Sequence, residues 1–389
     1  MAKKATVLLV ISESLNDNVI VSQALDHARV IAKAGLAEFE IIAVAVMDAK
    51  FTEEEKFKDR AEEIADAPVH VIRGTRARIP LSPFVNGRRI AAALGDVKKT
   101  FTHVHARNDY SAIASRYVAR ATGATLIWDC RGDAVSEVDF FRATSRLAWP
   151  AKQGLIARRR VAARVADRAI FVSHALRKRI GDNWRSDKPY EIIPCSASHE
   201  SFFYSAALRQ DARKELNLAP RDRLYIYSGG LAPYQKFPEM IQMFDRISKN
   251  DRNAWLLVLT PAKAQAAHLI GKRPRVTLKS VATGDVNRYL NAADAAIMLR
   301  DKVPTNIVSS PTKFAEYCLV GLPVVMTDAV ADSYALASQM GNVIDVTEAN
   351  TIPPFPKFER DDLAKRYTPI LSREALVGSY ERIYAPSIR

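Results

Sequence analysis

The chain has 389 residues, 48% hydrophobic and 26% charged, with 57 Lys/Arg against 43 Asp/Glu and a formal charge of +14. That mix excludes a disordered chain or a coiled coil, and the length asks for two or three cores. The positive balance favours anionic partners: phosphorylated substrates, acidic lipid surfaces or nucleic acid.

The N-terminal stretch reads as a first strand, VLLVI at 7–11, rather than a signal peptide, and no apolar run is long enough to span a bilayer. Further short apolar runs follow at 40–46, 69–72, 102–106, 124–128, 168–173 and 190–194, with helical stretches between them. After Pro194 the pattern restarts at 224–228, 255–260, 275–279, 295–299 and 322–327. Such alternation predicts buried parallel strands in βαβ units. Two series predict an α/β protein of two facing, doubly wound, Rossmann-like domains with an interdomain cleft. The expected division is 1–203, 204–365 and a C-terminal helix in 366–389 that packs back on the first domain. Cys130, Cys195 and Cys318 are too widely spaced for a disulfide framework or a zinc site, which fits a reducing compartment.

Ligands in open α/β sheets bind beyond the carboxyl ends of strands. Glycine is scarce, at 15 residues, and neither G-x-G-x-x-G nor a P-loop occurs, so dinucleotide-binding and P-loop readings lose their main support. Two other segments carry chemistry. In S310-P-T-K-F-A-E-Y-C-L-V-G-L-P-V-V325, a turn opens a helix that Gly321 ends before a buried strand. Ser310 and Thr312 are good caps and Pro311 suits a first helical position. The segment reads as a plain capped helix, or as a helix N-terminus offering N–H groups and Lys313 to a phosphate, with Glu316 placed to accept ribose hydroxyls. In L224-Y-I-Y-S-G-G-L-A-P-Y-Q-K-F-P-E239, a strand ends at Gly229 and Gly230, and Lys236 opens the next helix. This is a glycine turn, or a close backbone approach to a ligand whose diphosphate Lys236 neutralises.

Together these segments resemble the retaining, nucleotide-sugar-dependent GT-B glycosyltransferases of family four. The N-terminal half resembles a lipopolysaccharide- and capsule-type branch, through H105-A-R-N108, I127-W-D-C-R-G-D-A-V-S-E137, V172-S-H174 and I193-P-C195 followed by Phe202. The resemblance implies a donor site of Gly229, Gly230, Lys236, Ser310, Thr312, Lys313 and Glu316, with Val281 bordering the base. It implies Asp129, Arg131 and Glu137 at the reacting sugar, and Asn16, Arg107 and Asn108 on the acceptor side. Three positions depart from the pattern. Val308 stands where the family often has the first Glu of E-x7-E, Gly230 where many members have an Arg, and Arg131 where a His is common.

No D-x-D motif occurs, and the resemblance implies a UDP- or GDP-sugar as substrate with no cofactor and no metal. Catalysis then means stabilising the leaving diphosphate and orienting an acceptor hydroxyl. His103 and His105 share a strand face but have no carboxylate or cysteine close in sequence, so they read as ordinary strand-end histidines.

Residues 140–188 hold thirteen Lys/Arg against three Asp, most of the net charge, together with Phe140, Phe141 and Trp149. Trp149, Arg158, Arg159 and Arg160 are expected to form a patch for anionic headgroups. The expectation is a cytoplasmic enzyme, peripheral on the inner face of the cell membrane. It would transfer sugar to a glycan or polyprenyl-linked acceptor in cell-surface polysaccharide synthesis. The rivals are a non-catalytic GT-B partner subunit and a nucleotide-sugar epimerase. Nucleic acid is not an expected partner, since no such module is recognisable.

Overall fold

A computed structural model describes residues 4–45, 51–75, 79, 81–95, 100–141, 148–347 and 358–386. Of the basic stretch at 140–188, Arg142 and Arg146 lie outside the described residues. The chain forms two compact units, one of Met1–Pro194 with Leu376–Arg389, the other of Cys195–Ala375.

Among its described residues the first unit carries seven strands: β1 Ala5–Ile11, β2 Ala37–Ala45, β3 Val69–Arg73, β4 His103–Arg107, β5 Thr125–Cys130, β6 Arg168–Phe171 and β7 Tyr190–Ile192. They pair in parallel in the order β3-β2-β1-β4-β5-β6-β7. The second unit carries β8 Arg223–Ser228, β9 Ala254–Leu259, β10 Val276–Lys279, β11 Ala295–Met298, β12 Val324–Met326 and β13 Val343–Asp345, also parallel, in the order β10-β9-β8-β11-β12-β13. The order in which successive strands are added reverses between β1 and β4 and between β8 and β11, so each unit is doubly wound with one switch point. The apolar runs are sandwiched by helices on both faces: Val7, Leu8, Val10 and Ile11 of β1, and Leu256, Leu257 and Val258 of β9, are all buried.

The first division lies before the expected residue 203. Residues 195–205 are tied to the second unit: Ala197 bridges to Ser372, and the backbone N–H groups of Phe203 and Ser205 donate to Asn287 and Asn291 at 3.2 and 2.7 Å. The second division lies after the expected 365, because the helix Arg360–Leu371 packs on Thr312–Leu319. The last helix, Val377–Ile383, belongs to the first unit, with Tyr380 bonded to His27 at 2.7 Å. Arg168 donates to the carbonyls of Ile383 and Ala385 at 2.7 and 2.6 Å, which caps the end of that helix.

Gly321 ends the helix Thr312–Leu319 at φ 69°, and a β-carbon there would lie 2.0 Å from the Arg360 carbonyl oxygen. Backbone meets backbone at this point, so only glycine fits.

Candidate functional site

In the second unit the switch point brings together the ends of β8 and β11. Past β8, Gly229 takes φ 141°, and Tyr227 donates to the Gly230 carbonyl at 2.5 Å. The turn Pro233–Gln235 then leads to Lys236, held at φ 51° as it opens the helix Phe237–Asn250. The Lys236 amine meets Asp301 at 2.6 Å and Glu239 at 3.3 Å, and the Asp301 bond raises its pKa. Past β11, Arg300 is 5% exposed, its backbone fixed through Thr327 at 3.2 and 2.7 Å.

The helix Thr312–Leu319 points its first turn at the same place. The Lys313 amine lies 4.3 Å over the Tyr227 ring and donates to Gln235 Oε1 at 2.9 Å. Burial holds this amine well below the ordinary lysine range, and Arg300 lowers it further while Glu316 opposes the fall. One turn on, burial lifts the Glu316 carboxyl to about 7, against the pull of Lys313 and Arg373.

The expected donor residues therefore divide. Lys313 lies along the Gly229 turn at the end of β8, Glu316 stands one turn further on the same helix, and Lys236 pairs with Asp301 past β11. Gly230 contributes its carbonyl rather than a close approach, since a β-carbon there would meet nothing within 4 Å. Ser310 does not cap the helix: its hydroxyl accepts from the Cys195 N–H at 2.9 Å, and Pro311 holds the N-cap position, with Thr312 the first helical residue. Val281 is partly buried against the core cluster past β10, and Val308 is buried. Arg300, Gln235 and Asp301 escaped the sequence reading. Arg300 does follow the apolar run 295–299 directly, and that strand-end position was the available signal.

In the first unit a second polar cluster gathers where β1, β4 and β5 end. The parallel register sets Arg107 beside Asp129, and the two-residue period puts His105 on the same face. Asp129 lies 3.4 Å from Arg131, 3.3 Å from His105 Nε2 and 4.0 Å from Arg107. Burial opposes its ionisation, but Arg131, His105 and Arg107 prevail and bring its pKa to about 2. The other ring nitrogen of His105 meets the Tyr384 hydroxyl at 2.7 Å. Arg107 also donates to Glu13 at 3.2 Å and Gln23 at 3.1 Å. Burial raises the Glu13 carboxyl despite that contact. Asn108, at φ 67°, donates to Ser12 at 3.1 Å and accepts from the Ser111 N–H at 3.0 Å.

Asp129, Arg131, Arg107 and Asn108 thus form one network. Glu137 is exposed on the following helix, and Asn16 is exposed in the loop after β1. His103 and His105 hold the Tyr384 ring, with centroids 5.5 and 6.0 Å away. Among the described residues no group of three or more His, Cys, Asp or Glu side chains is placed to hold a metal ion.

The expected surface patch needs a correction. Arg159 is buried: it pairs with Asp133 at 2.5 Å and approaches Asp109 at 4.0 Å. Arg158 is half-buried, 5.7 Å over the Tyr110 ring. Trp149 is 71% exposed and Arg160 is exposed on the same helix, Ala148–Val165. The helical period explains the split, since Arg159 falls with the buried Ala162 and Ala163 while Arg160 falls with the exposed Gln153, Ala157 and Arg164. Among the described residues no helix is long and apolar enough to cross a membrane.

No family model matches the chain, and no curated protein matches it. Solved structures do. Sucrose-phosphate synthase from Thermosynechococcus elongatus superposes with a TM-score of 0.62 at 14% identity, over 98% of this chain and 94% of that one. Anabaena HepE in complex with UDP-glucose gives 0.59 at 14%, over 98% and 95%. The N-terminal domain of trehalose-6-phosphate phosphatase from Candida albicans gives 0.66 at 11%, over 98% and 97%. Near-complete coverage on both sides establishes the two-domain, Rossmann-like GT-B fold.

Proposed function

We propose that this chain is a retaining glycosyltransferase that takes a sugar from a nucleoside-diphosphate sugar. The observation that carries the reading is the group at the ends of β8 and β11. There Lys313 lies along the Gly229 turn at the opening of the helix Thr312–Leu319, Glu316 stands one turn on, and Lys236 pairs with Asp301 past β11; in this reading they would offer positive charge and N–H groups to one ligand. Such a group suits a diphosphate and its ribose, and it stabilises the charge that develops on a leaving nucleoside diphosphate. Two structures with the same fold hold UDP-glucose, and UDP with glucose. UDP- and GDP-sugars are therefore the first donors to try.

On the other unit, Asp129 with Arg131 would orient the sugar or the acceptor hydroxyl. Glu137, Arg107, Asn108 and Asn16 complete the acceptor-side proposal. Asp129 stays ionised at neutral pH, so its part is orientation and charge rather than proton abstraction. The proposed acceptor is a glycan or polyprenyl-linked saccharide of the cell surface. The exposed Trp149 and Arg160 would bring the protein to the anionic inner face of the membrane. The donor diphosphate is neutralised by side chains and helix dipole in this scheme, with no cofactor and no metal.

A thermal-shift panel of nucleotide sugars, followed by turnover with lipid-linked acceptors, tests the reading. No shift with any nucleotide sugar sinks it. Inversion of a free nucleotide sugar without acceptor would instead mark an epimerase. A second reading, a binding subunit without turnover, draws on Val308, a buried apolar side chain where a sugar-binding Glu would stand. Donor binding without transfer to any acceptor would favour it.

A further inference from the structure

One oxygen in the second unit serves two cations. Gln235 Oε1 accepts from Lys313 Nζ at 2.9 Å and from Arg300 Nη1, and the Tyr227 hydroxyl lies 3.4 Å from it. Arg300 is buried, stacked 5.2 Å over the Tyr234 ring, and also donates to the Tyr234 carbonyl at 3.1 Å. Among the described residues the side-chain oxygen that both Arg300 and Lys313 reach is this amide, and the carboxylate of Glu316 acts on Lys313 only at longer range. Two other buried arginines face carboxylates instead, Arg159 on Asp133 and Arg107 on Glu13.

Two like charges removed from water and turned toward one neutral amide oxygen are a costly arrangement. Their mutual repulsion and desolvation fall sharply when an anion replaces the amide. Burial holds both cations below their ordinary range, and Arg300 adds to the fall at Lys313.

We infer that Arg300 is an anion-binding residue that shares a diphosphate with Lys313, and that Gln235 Oε1 holds the position of one of its oxygens until the ligand displaces it. The inference rests on the donor reading for the nucleoside attached to the diphosphate, and on the geometry alone for the anion. The guanidinium reaches the site from the end of β11, across the switch point from Gly229. Its planar donors suit two phosphate oxygens at once, where Lys313 supplies a point charge. Gln235 lies on the single turn Pro233–Gln235 that also covers Arg300. Displacing its side chain therefore needs a rotamer change and not a shift of the sheet.

The test is calorimetric titration of the full chain with inorganic diphosphate, then UDP, GDP and ADP, at fixed ionic strength. The variants are Arg300→Gln, Gln235→Glu and Gln235→Ala, with Lys365→Gln as an exposed control. Arg300→Gln should weaken inorganic diphosphate about tenfold or more. Gln235→Glu, which installs a permanent counter-ion, should weaken it as much while raising the thermal midpoint. Gln235→Ala, which removes the competing oxygen, should bind it at least as tightly as the parent chain. A purely structural Arg300 would lower the thermal midpoint and leave affinity unmoved. Parental diphosphate affinity in both Arg300→Gln and Gln235→Glu overturns the inference, as does failure of the parent chain to bind diphosphate. If inorganic diphosphate obeys this pattern while nucleosides add no affinity, the anion site stands and the donor reading falls.

Discussion

The Lys313 amine fills the space that a β-carbon on Gly229 would need, 2.7 Å from where that atom would sit. Gly229 also takes φ 141°, a conformation that side chains disfavour. The glycine therefore does two things at once: it lets the chain turn off β8, and it lets the lysine lie along that turn. Gly229→Ala should weaken nucleoside-diphosphate binding about tenfold, in line with 1–3 kcal/mol for a strained backbone position. Calorimetry reads this directly, and unchanged affinity would remove Gly229 from the site.

The ribose role proposed for Glu316 carries a pH signature. Its carboxyl ionises at about 7, far above the ordinary range, because burial outweighs Lys313 and Arg373. An ionised Glu316 is the better ribose acceptor, so nucleotide affinity should rise as pH climbs through 7, and Glu316→Gln should flatten that rise. Stability runs the other way. The folded chain holds this proton more tightly than the unfolded one, so stability is fullest below the unfolded value near 4.5 and declines as pH rises through about 7. Glu316→Gln should remove that decline, measured as the thermal midpoint between pH 5 and 8.

Asp129 behaves oppositely. Its pKa of about 2 means that the folded chain favours the carboxylate. Its contribution is present above the unfolded value near 3.8 and is lost as pH falls through about 2. Asp129→Asn leaves Arg131, Arg107 and His105 around a neutral amide and should cost about 3 kcal/mol. Chemical denaturation measures the loss. Transfer activity should disappear in any fraction that stays folded, and parental turnover would refute a role for Asp129 at the sugar.

The sheets were legible because parallel strands buried on both faces leave continuous apolar runs, as in VLLVI before Ser12 and WLLVLT after Ala254. β13 was not, since its three residues, Val343, Ile344 and Asp345, make a run too short to separate from its polar flanks. The helix Arg360–Leu371 escaped because Pro369 lies within it. Among the proposed donor residues, Gly229, Lys236, Lys313 and Glu316 stand in local motifs that single them out. Arg300 and Tyr384 were not. Arg300 is a lone arginine in no motif, and Tyr384 meets His105 only through a contact spanning 279 positions of the chain.

The basic helix makes a sharp contrast between neighbours. Arg159→Ala should cost about 3 kcal/mol of stability by stranding the buried Asp133, although Arg179 still reaches that carboxylate at 3.1 Å. It should leave vesicle binding alone. Arg160→Gln should do the reverse, weakening binding to anionic vesicles by about fivefold, near 1 kcal/mol per basic residue, and Trp149→Ala should weaken it through lost apolar contact. Sedimentation with anionic and neutral vesicles separates the cases, and equal binding to both lipid types would refute the headgroup proposal.

The last helix carries a consequence for biosynthesis. Tyr380 and Tyr384 close over His27 and His105, and the carbonyls of Ile383 and Ala385 satisfy Arg168. All three partners are translated long before those residues leave the ribosome. The first unit is therefore the earlier one made and the later one finished. The second unit, continuous from Cys195 to Ala375, can complete its sheet while the first still waits for its closing helix.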